Sequence, residues 1–474
     1  MAEDFQRRIY MLSPRKLSPE TIAVTFAKTS RSPLSFGDIA AELSAEESAR
    51  FHEKWVVGYG HASVAEHAVL HVAFENVSRL AIECIQSNRL ASYTEKSTRY
   101  QTWDLSAFHI PEELDGTPYY DTFEAVCDQM FRSYRASLEP VRERVQASFP
   151  QAKGEDKAAW DARIRSRYVD VCRFLLPAGA LANVGMTANA RALAHAIRKM
   201  LSHPLEEVRQ IGLAVKEVAQ DEVPTLLKYL EPVPYLQDTK RDLKVRAADL
   251  RADSSQEAVR LHSYDPQAEL HVLSAALYAH ASCSYEDALS HVKKLSQSEK
   301  KDLAQTLLGR LDRFDAPMRA LEHASYTFEV HLDQGAYFEL KRHRIMTQTA
   351  QDLSTVLGYA VPRLIVEAGF EKTYREAMQT AADVYQELAG WNPHVAAYVV
   401  PNAFNRRVLL TLNLREGFHL CELRSQPSAH FSIRRIALQI AELVREVHPI
   451  LASFMRLPTE ANWRNIEAEH FFQV

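Results

Sequence analysis

Lys341-Arg342-His343-Arg344, in the stretch YFELKRHRIMTQTAQDLST, sets three cations and an imidazole side by side in a chain of formal net charge −5. Two physical readings compete. Cations at the end of a helix complement the partial negative charge of its last carbonyls, or they face an anion. A second stretch, LASYTEKSTRY, interleaves Ser92, Glu95, Ser97 and Arg99. Hydroxyls and a planar guanidinium can cradle an oxyanion, and a carboxylate offers two acceptors to sugar hydroxyls. Its plain alternative is a solvated hairpin end of mixed charge. A third stretch, HASVAEHAVLH, puts His67 and His71 at i, i+4, the separation that gathers two ligands on one helix face. No third ligand is in view and the stretch alternates like a strand, so no metal site is expected.

These residues sit in elements that occur twice. GHASVAEHAVLHVAFENVSRL and EHASYTFEVHLDQGAYFEL each place a His-Ala-Ser turn before an alternating, strand-like run. Downstream, Pro177, Asn189, Arg191 and His195 repeat with identical spacing as Pro401, Asn413, Arg415 and His419. Each half closes on a long amphipathic pattern, LEEVRQIGLAVKEVAQDEV and FSIRRIALQIAELVREV. The spacing predicts a tandem duplication: a first repeat over 1–236, a polar linker over 237–259 and a second repeat over 260–474. From Arg99 to Pro177 is 78 residues and from Ser354 to Pro401 is 47, which predicts an insertion within about 103–172 of the first repeat. Each repeat reads as helices, a small antiparallel sheet and a long C-terminal helix, an α+β class.

Composition sets the outer limits. At 474 residues with 46% hydrophobic and 25% charged content, the chain can build ample globular core. Its five scattered cysteines, none in a CxxC pair, fit a reducing compartment better than a disulfide framework. The opening MAEDFQRRIYMLS lacks the apolar core of a signal peptide, and no run approaches a spanning helix. A soluble cytoplasmic protein is expected, and the acidic balance weighs against a nucleic-acid partner.

On these motifs the sequence resembles the flavin-dependent thymidylate synthases. That family carries an Arg-His-Arg loop running into a Ser/Glu/Ser/Arg segment, preceded by a His-x-Ser/Thr-x-x-Glu-His turn and followed by Arg-x-x-Leu-Pro and Asn-x-Arg segments. The resemblance implies FAD, NADPH as reductant, methylenetetrahydrofolate as co-substrate, and methylation of dUMP. Family members are homotetramers with sites between subunits, which implies here a homodimer whose four repeats imitate the tetramer.

Neither repeat carries the whole motif. The first reads Ser87-Asn88-Arg89 where the second has Arg342-His343-Arg344, yet it keeps Ser92, Glu95, Ser97 and Arg99. The second has Ala350, Asp352 and Ser354 at the last three of those positions. Arg173 answers to Ala397, and Arg424 to Met200. His61, Ser63 and Glu66 are matched to His323, Ser325 and Phe328, so the glutamate is expected in one repeat only. One composite site per repeat pair follows. The resemblance assigns Arg342, His343 and Arg344 to catalysis and the flavin. It assigns Ser92, Glu95, Ser97, Arg99, Arg173, Glu339 and Arg424 to the nucleotide. His61, Ser63, Glu66, Asn189, Asn413 and His419 go to the cofactor. Arg342 would stabilise charge developing on the uracil, and no cysteine stands as an attacking thiolate. Two rivals remain: a non-catalytic paralogue that binds flavin or nucleotide, and an enzyme acting on a nucleic acid, with Tyr119, Tyr120, Arg132, Tyr134 and Arg135 of the insertion as a stacking surface.

Overall fold

The computed structural model describes residues 8–30, 32–58, 62–97, 99, 101–250, 257–460 and 462–472. His61 lies outside them. The chain divides into two compact units, Met1–Lys96 with His109–Asp115 and Leu181–Arg251, and Ser97–Phe108 with Gly116–Ala180 and Ala252–Val474. Among the described residues no helix is long and apolar enough to cross a membrane.

In the first unit β1 (Val69–Ser78), β2 (Ala91–Glu95) and β3 (Leu181–Asn189) form an antiparallel sheet in the order β1-β3-β2. Period-two alternation along β3 buries Ala182, Val184, Met186 and Ala188. In the second unit β4 (Val259–Tyr264), β5 (Ser325–Asp333), β6 (Thr347–Ala350) and β7 (Asn405–Asn413) run in the order β4-β5-β7-β6, again antiparallel. Tyr326, Phe328, Val330 and Leu332 of β5 join Val408, Leu410 and Leu412 of β7 in one buried cluster. Ile433, Ile436, Ile440 and Val444, one stripe of the helix Phe431–Val447, complete it. Each such side chain contributes roughly 1.5–3 kcal/mol on burial.

The two sheets repeat one another in register. Ser92 pairs with Thr187 as Thr347 pairs with Thr411, and Glu95 lies opposite Val184 as Ala350 lies opposite Val408. The same ladder corrects the match upstream. Asn189 faces Val69 and Asn413 faces Ser325. The amides of Ala190 and Leu414 donate to the carbonyls of Ala68 and Ala324. Glu66-His67-Ala68 is therefore the counterpart of Glu322-His323-Ala324, and the shared His-Ala-Ser spelling is out of register. The glutamate is present in both repeats, and each pairs with the arginine of its Asn-x-Arg segment: Glu66 with Arg191, Glu322 with Arg415.

The extra length of the first repeat is spread over several elements. The helix Tyr120–Ser148 has 29 residues against 21 in Glu371–Trp391, and Lys157–Cys172 has 16 against 4 in Pro393–Ala396. Of the residues expected as a stacking surface, Tyr134 is fully buried, Tyr119 packs on Trp391 at 5.3 Å, and Arg132 and Arg135 are exposed. The segment 116–180 belongs to the second unit and meets its own counterpart there. Ala178 N donates to Val400 O (2.9 Å) and Asn402 N to Leu176 O (3.0 Å), a reciprocal exchange about Pro177 and Pro401. In the polar stretch read as a linker, the helix Pro234–Arg246 buries no residue.

A short helix directly after β1 and another directly after β5 are capped by one device with its parts exchanged. Ser78 caps Arg79–Ile85, accepting from Ala81 N at 2.9 Å and donating to Glu207 Oε2 at 2.6 Å. Asp333 caps Gln334–Leu340, accepting from Ala336 N at 2.8 Å and from the hydroxyl of Ser432. That second helix delivers Glu339 and the Arg-His-Arg turn. Gly335 allows its tight start, since a Cβ there would lie 3.0 Å from Asp333 Oδ1 and 3.7 Å from Arg173 Nη2. Asp333→Ala should lower stability by about 1–2 kcal/mol, read as the urea midpoint, because it removes the cap and leaves a buried hydroxyl unpaired. Asp333→Asn, which can still accept, should lose less.

Candidate functional site

Six side chains of the second unit form a continuous polar string. Arg99, just beyond β2, donates through Nε and Nη2 to both oxygens of Asp170, each at 2.7 Å, and through Nη1 to the carbonyl of Ser428 at 2.9 Å. The same Nη1 lies 3.7 Å from Glu339 Oε1. Glu339 accepts from Arg424 Nη1 at 2.9 Å on its other oxygen. Arg424 Nε donates to His343 Nε2 at 3.0 Å, and His343 Nδ1 lies 2.8 Å from Glu416 Oε1. Arg99 of the first repeat and Arg424 of the second thus meet around one carboxylate, and Arg424 links it to His343 of the Arg-His-Arg turn.

Local structure explains each position. Lys341 is the C-cap of Gln334–Leu340, so the turn following it does place its cations at a helix end. There Arg342 is exposed, Arg344 half-buried and His343 only 2% exposed. Glu416 and Arg424 lie on Leu414–Arg424, which Asn413 caps by accepting from Glu416 N at 2.9 Å. Asp170 comes from the lengthened helix Lys157–Cys172, and His430 Nε2 contacts the Asp170 carbonyl at 3.1 Å.

Burial dominates the electrostatics. It lowers the pKa of His343, Arg424 and Arg173, with cationic neighbours adding to it in each case. Since Arg424 Nε donates to its Nε2, His343 serves as a neutral acceptor inside the string. The charges of Arg342 and Arg99 add to the lowering of the Arg424 pKa. Burial would raise the pKa of Glu416, but hydrogen bonds with His343 and His419 outweigh it and hold the carboxyl at about 2.

The other expected residues divide between the units. Ser92 and Glu95 belong to the first, Ser97 and Arg99 to the second. Glu95 is engaged by Arg79 at 3.0 Å and by Gln86 at 2.9 Å. Ser63 lines a cleft in the first unit with Phe26, Trp55 and His67. Asn189 caps Ala190–Leu201 as Asn413 caps its counterpart, so both asparagines sit at helix starts rather than on helix faces. His67 ends a 3-10 turn and His71 stands on β1, bonded to Thr187 Oγ1 at 2.8 Å, so the pair does not share a helix face. Arg173 is buried, and the charges of Asp170, Glu339 and Arg99 act on it.

Asn413 and His419 line a cleft of about 1010 Å³ in the second unit, with Ile345, Arg415, Glu416 and Leu423. His343, Glu416 and His419 bring three ligand-type atoms within 4.8 Å of one another. Both ring nitrogens of His343 already have partners, one of them a cationic donor, which opposes a metal ion there. Sequence reasoning missed Asp170, Glu416 and Ser428. Only Glu416 carried a signal, as a carboxylate two residues into the duplicated helix where the first repeat has Ala192.

A carboxyl whose folded pKa is depressed contributes stability above its unfolded value and loses it as pH falls toward the folded one. Acidification from 4.5 to about 2 should therefore destabilise the second unit through Glu416. Glu416→Gln should flatten that part of the profile in pH-dependent urea unfolding.

The UPF0159 protein of Chlamydia muridarum is 31% identical over 433 residues, covering 88% of this chain and 82% of the relative. That of Thermoplasma acidophilum is 29% identical, covering 88% and 90%. The flavin-dependent thymidylate synthase of Geobacter sulfurreducens is 31% identical over 204 residues, covering 41% of this chain and 84% of the relative. Among solved structures, the UMP/dUMP methylase PolB from Streptomyces cacaoi bound with 5-Br dUMP matches at a TM-score of 0.32 and 20% identity, covering 41% of this chain and 93% of that one. A family model described as "Thymidylate synthase complementing protein" matches residues 14–225 and again 260–450, and the chain belongs to that family.

Proposed function

We propose that the chain is a flavin-dependent enzyme of the thymidylate synthase type. It methylates dUMP, with methylenetetrahydrofolate as carbon donor and NADPH as reductant, at one composite site in the second unit. The observation carrying this reading is the contact of Glu339 with both Arg99 and Arg424, which joins two half-motifs that are each incomplete.

The roles follow from chemistry and placement. Arg99 and Arg424, the former braced by Asp170, are oriented guanidiniums suited to a dianionic phosphate. Arg173, buried, adds positive potential. Ser97 supplies a hydroxyl beside Arg99. Arg342, exposed and with its charge acting on Arg424, is the cation for charge developing on the uracil ring. The cleft holding Asn413 and His419 is large enough for FAD, and its lining mixes apolar side chains with four arginines and four carboxylates. Ile345 and Leu423 would take the ring system, and Arg415 the anionic portion. Flavin bound there supplies the hydride of the reaction. Two chains would associate as a homodimer, giving the four repeats of a family tetramer.

A second reading has one observation in its favour. Arg99 is bound to both oxygens of Asp170 and to a carbonyl, and Arg424 to Glu339 and His343, so a phosphate must compete with protein acceptors. A flavin- or nucleotide-binding protein without turnover would tolerate that arrangement.

Purified protein should show a flavin absorbance band and release tritium from 5-labelled dUMP when supplied with methylenetetrahydrofolate and NADPH. Flavin-loaded protein that binds dUMP without release would favour the second reading. Arg99→Ala and Arg342→Ala should each cost roughly a hundredfold or more in turnover, while Arg89→Ala, at the first-repeat position, should leave it unchanged. A lethal Arg89→Ala beside a silent Arg342→Ala would overturn the assignment of half-sites.

A further inference from the structure

We propose that Glu416 is a positioning residue: it fixes the tautomer of His343 and, through that ring, the direction in which Arg424 presents its guanidinium. The importance given to Arg424 rests on the function proposed above. The tautomer does not.

Hydrogen-bond inventory forces the first step. Arginine nitrogens only donate, so the 3.0 Å contact from Arg424 Nε makes His343 Nε2 an acceptor. A neutral imidazole then carries its proton on Nδ1, which lies 2.8 Å from Glu416 Oε1. An ionised carboxylate can only accept, so the two partners select the same tautomer. The opposite tautomer would set the Nε2 proton against the Arg424 Nε proton and leave Nδ1 facing a carboxylate, two unfavourable contacts in a site closed to water. Glu416 is itself immobilised, since its amide is bound by the Asn413 cap and its other oxygen lies 3.5 Å from His419 Nδ1.

The geometry spans one helix. Glu416 and Arg424 both belong to Leu414–Arg424, and the His343 ring from the adjoining turn bridges them. Fixing the ring fixes Nε of Arg424 and leaves Nη1 directed at Glu339. The first repeat has Ala192, Asn88 and Met200 at the three equivalent positions, so the whole bridge is absent there and not one member of it.

The protein as purified, with its cofactor, would be labelled with 15N-histidine, and the ring signals of His343 assigned as those lost in His343→Gln. Wild type should show the Nδ1-protonated neutral form. Glu416→Ala should lower the share of that form, Arg424 alone remaining to select it, and weaken dUMP binding roughly tenfold, the loss of one charge-assisted hydrogen bond. Glu416→Gln, whose amide oxygen can still accept from Nδ1, should restore both. A wild-type ring protonated on Nε2 would overturn the proposal without any variant. So would an unchanged tautomer in Glu416→Ala, or Glu416→Gln binding as weakly as Glu416→Ala. If wild type binds no dUMP, the proposed function fails and the tautomer measurements still decide this inference.

Discussion

Glu339 is the constraint on which the second unit depends. It is a carboxylate only 6% exposed, with Arg99 of one repeat at 3.7 Å and Arg424 of the other at 2.9 Å. Buried charge is tolerable only when paired, and removing one partner of such a pair costs about 3–5 kcal/mol because the other charge stays behind. Here one removal would leave two guanidiniums facing each other. The segment 97–108 is therefore bound to the second unit by electrostatics as well as by chain continuity. The exchange of backbone bonds about Pro177 and Pro401 adds a directional, uncharged tie to the same association.

The same physics bears on why the two repeats have lost different parts of one motif. At the positions of Glu339, His343, Glu416 and Arg424 the first repeat carries Cys84, Asn88, Ala192 and Met200. All four are uncharged. Once one member of a buried charged string is gone, each survivor becomes costly, so joint replacement is favoured whether or not the site has a function. Lys199 partly refills the space, reaching the hydroxyl of Ser87 and, at 3.3 Å, Asn88 Oδ1. Complementary loss is thus explained by stability in the first repeat. In the second it is not, because Arg99 and Arg173 have uncharged counterparts in Ser354 and Ala397 while the rest of the string stays charged.

Much of this was legible in the sequence because it depends on period and spacing. The alternation of YTFEVHL and the stripe of FSIRRIALQI become β5 and the helix over the sheet, and the Pro–Asn–Arg–His spacing marked the duplication. The failures share one cause, that identical letters do not fix register. The two His-Ala-Ser tripeptides invited a match that the ladder through Asn189 and Asn413 displaces, with a bulge between Phe74 and Val77 in β1 adding to the offset. Asp170 was invisible for a related reason. It lies in the lengthened helix three residues before Arg173, where the other repeat has His394 three residues before Ala397, and its bond to Arg99 spans 71 positions. The sequence also could not show that His343 is buried with a donor on its Nε2, inside the string rather than facing a ligand.

The neutrality of His343 changes what the basic turn does. A protonated His343 would repel Arg424 across 3.0 Å in a poorly solvated place, and the guanidinium would turn away from Glu339. As a neutral acceptor the ring holds Arg424 in position, and Glu416 keeps it so. The charge available to an incoming anion then comes from arginines whose orientation is settled on folding, before any ligand arrives. Such preorganisation removes reorganisation from the binding step and lets each guanidinium act at full strength where water is scarce. The cost is that Asp170 and Glu339 already answer part of that charge, so an incoming anion has to compete with them.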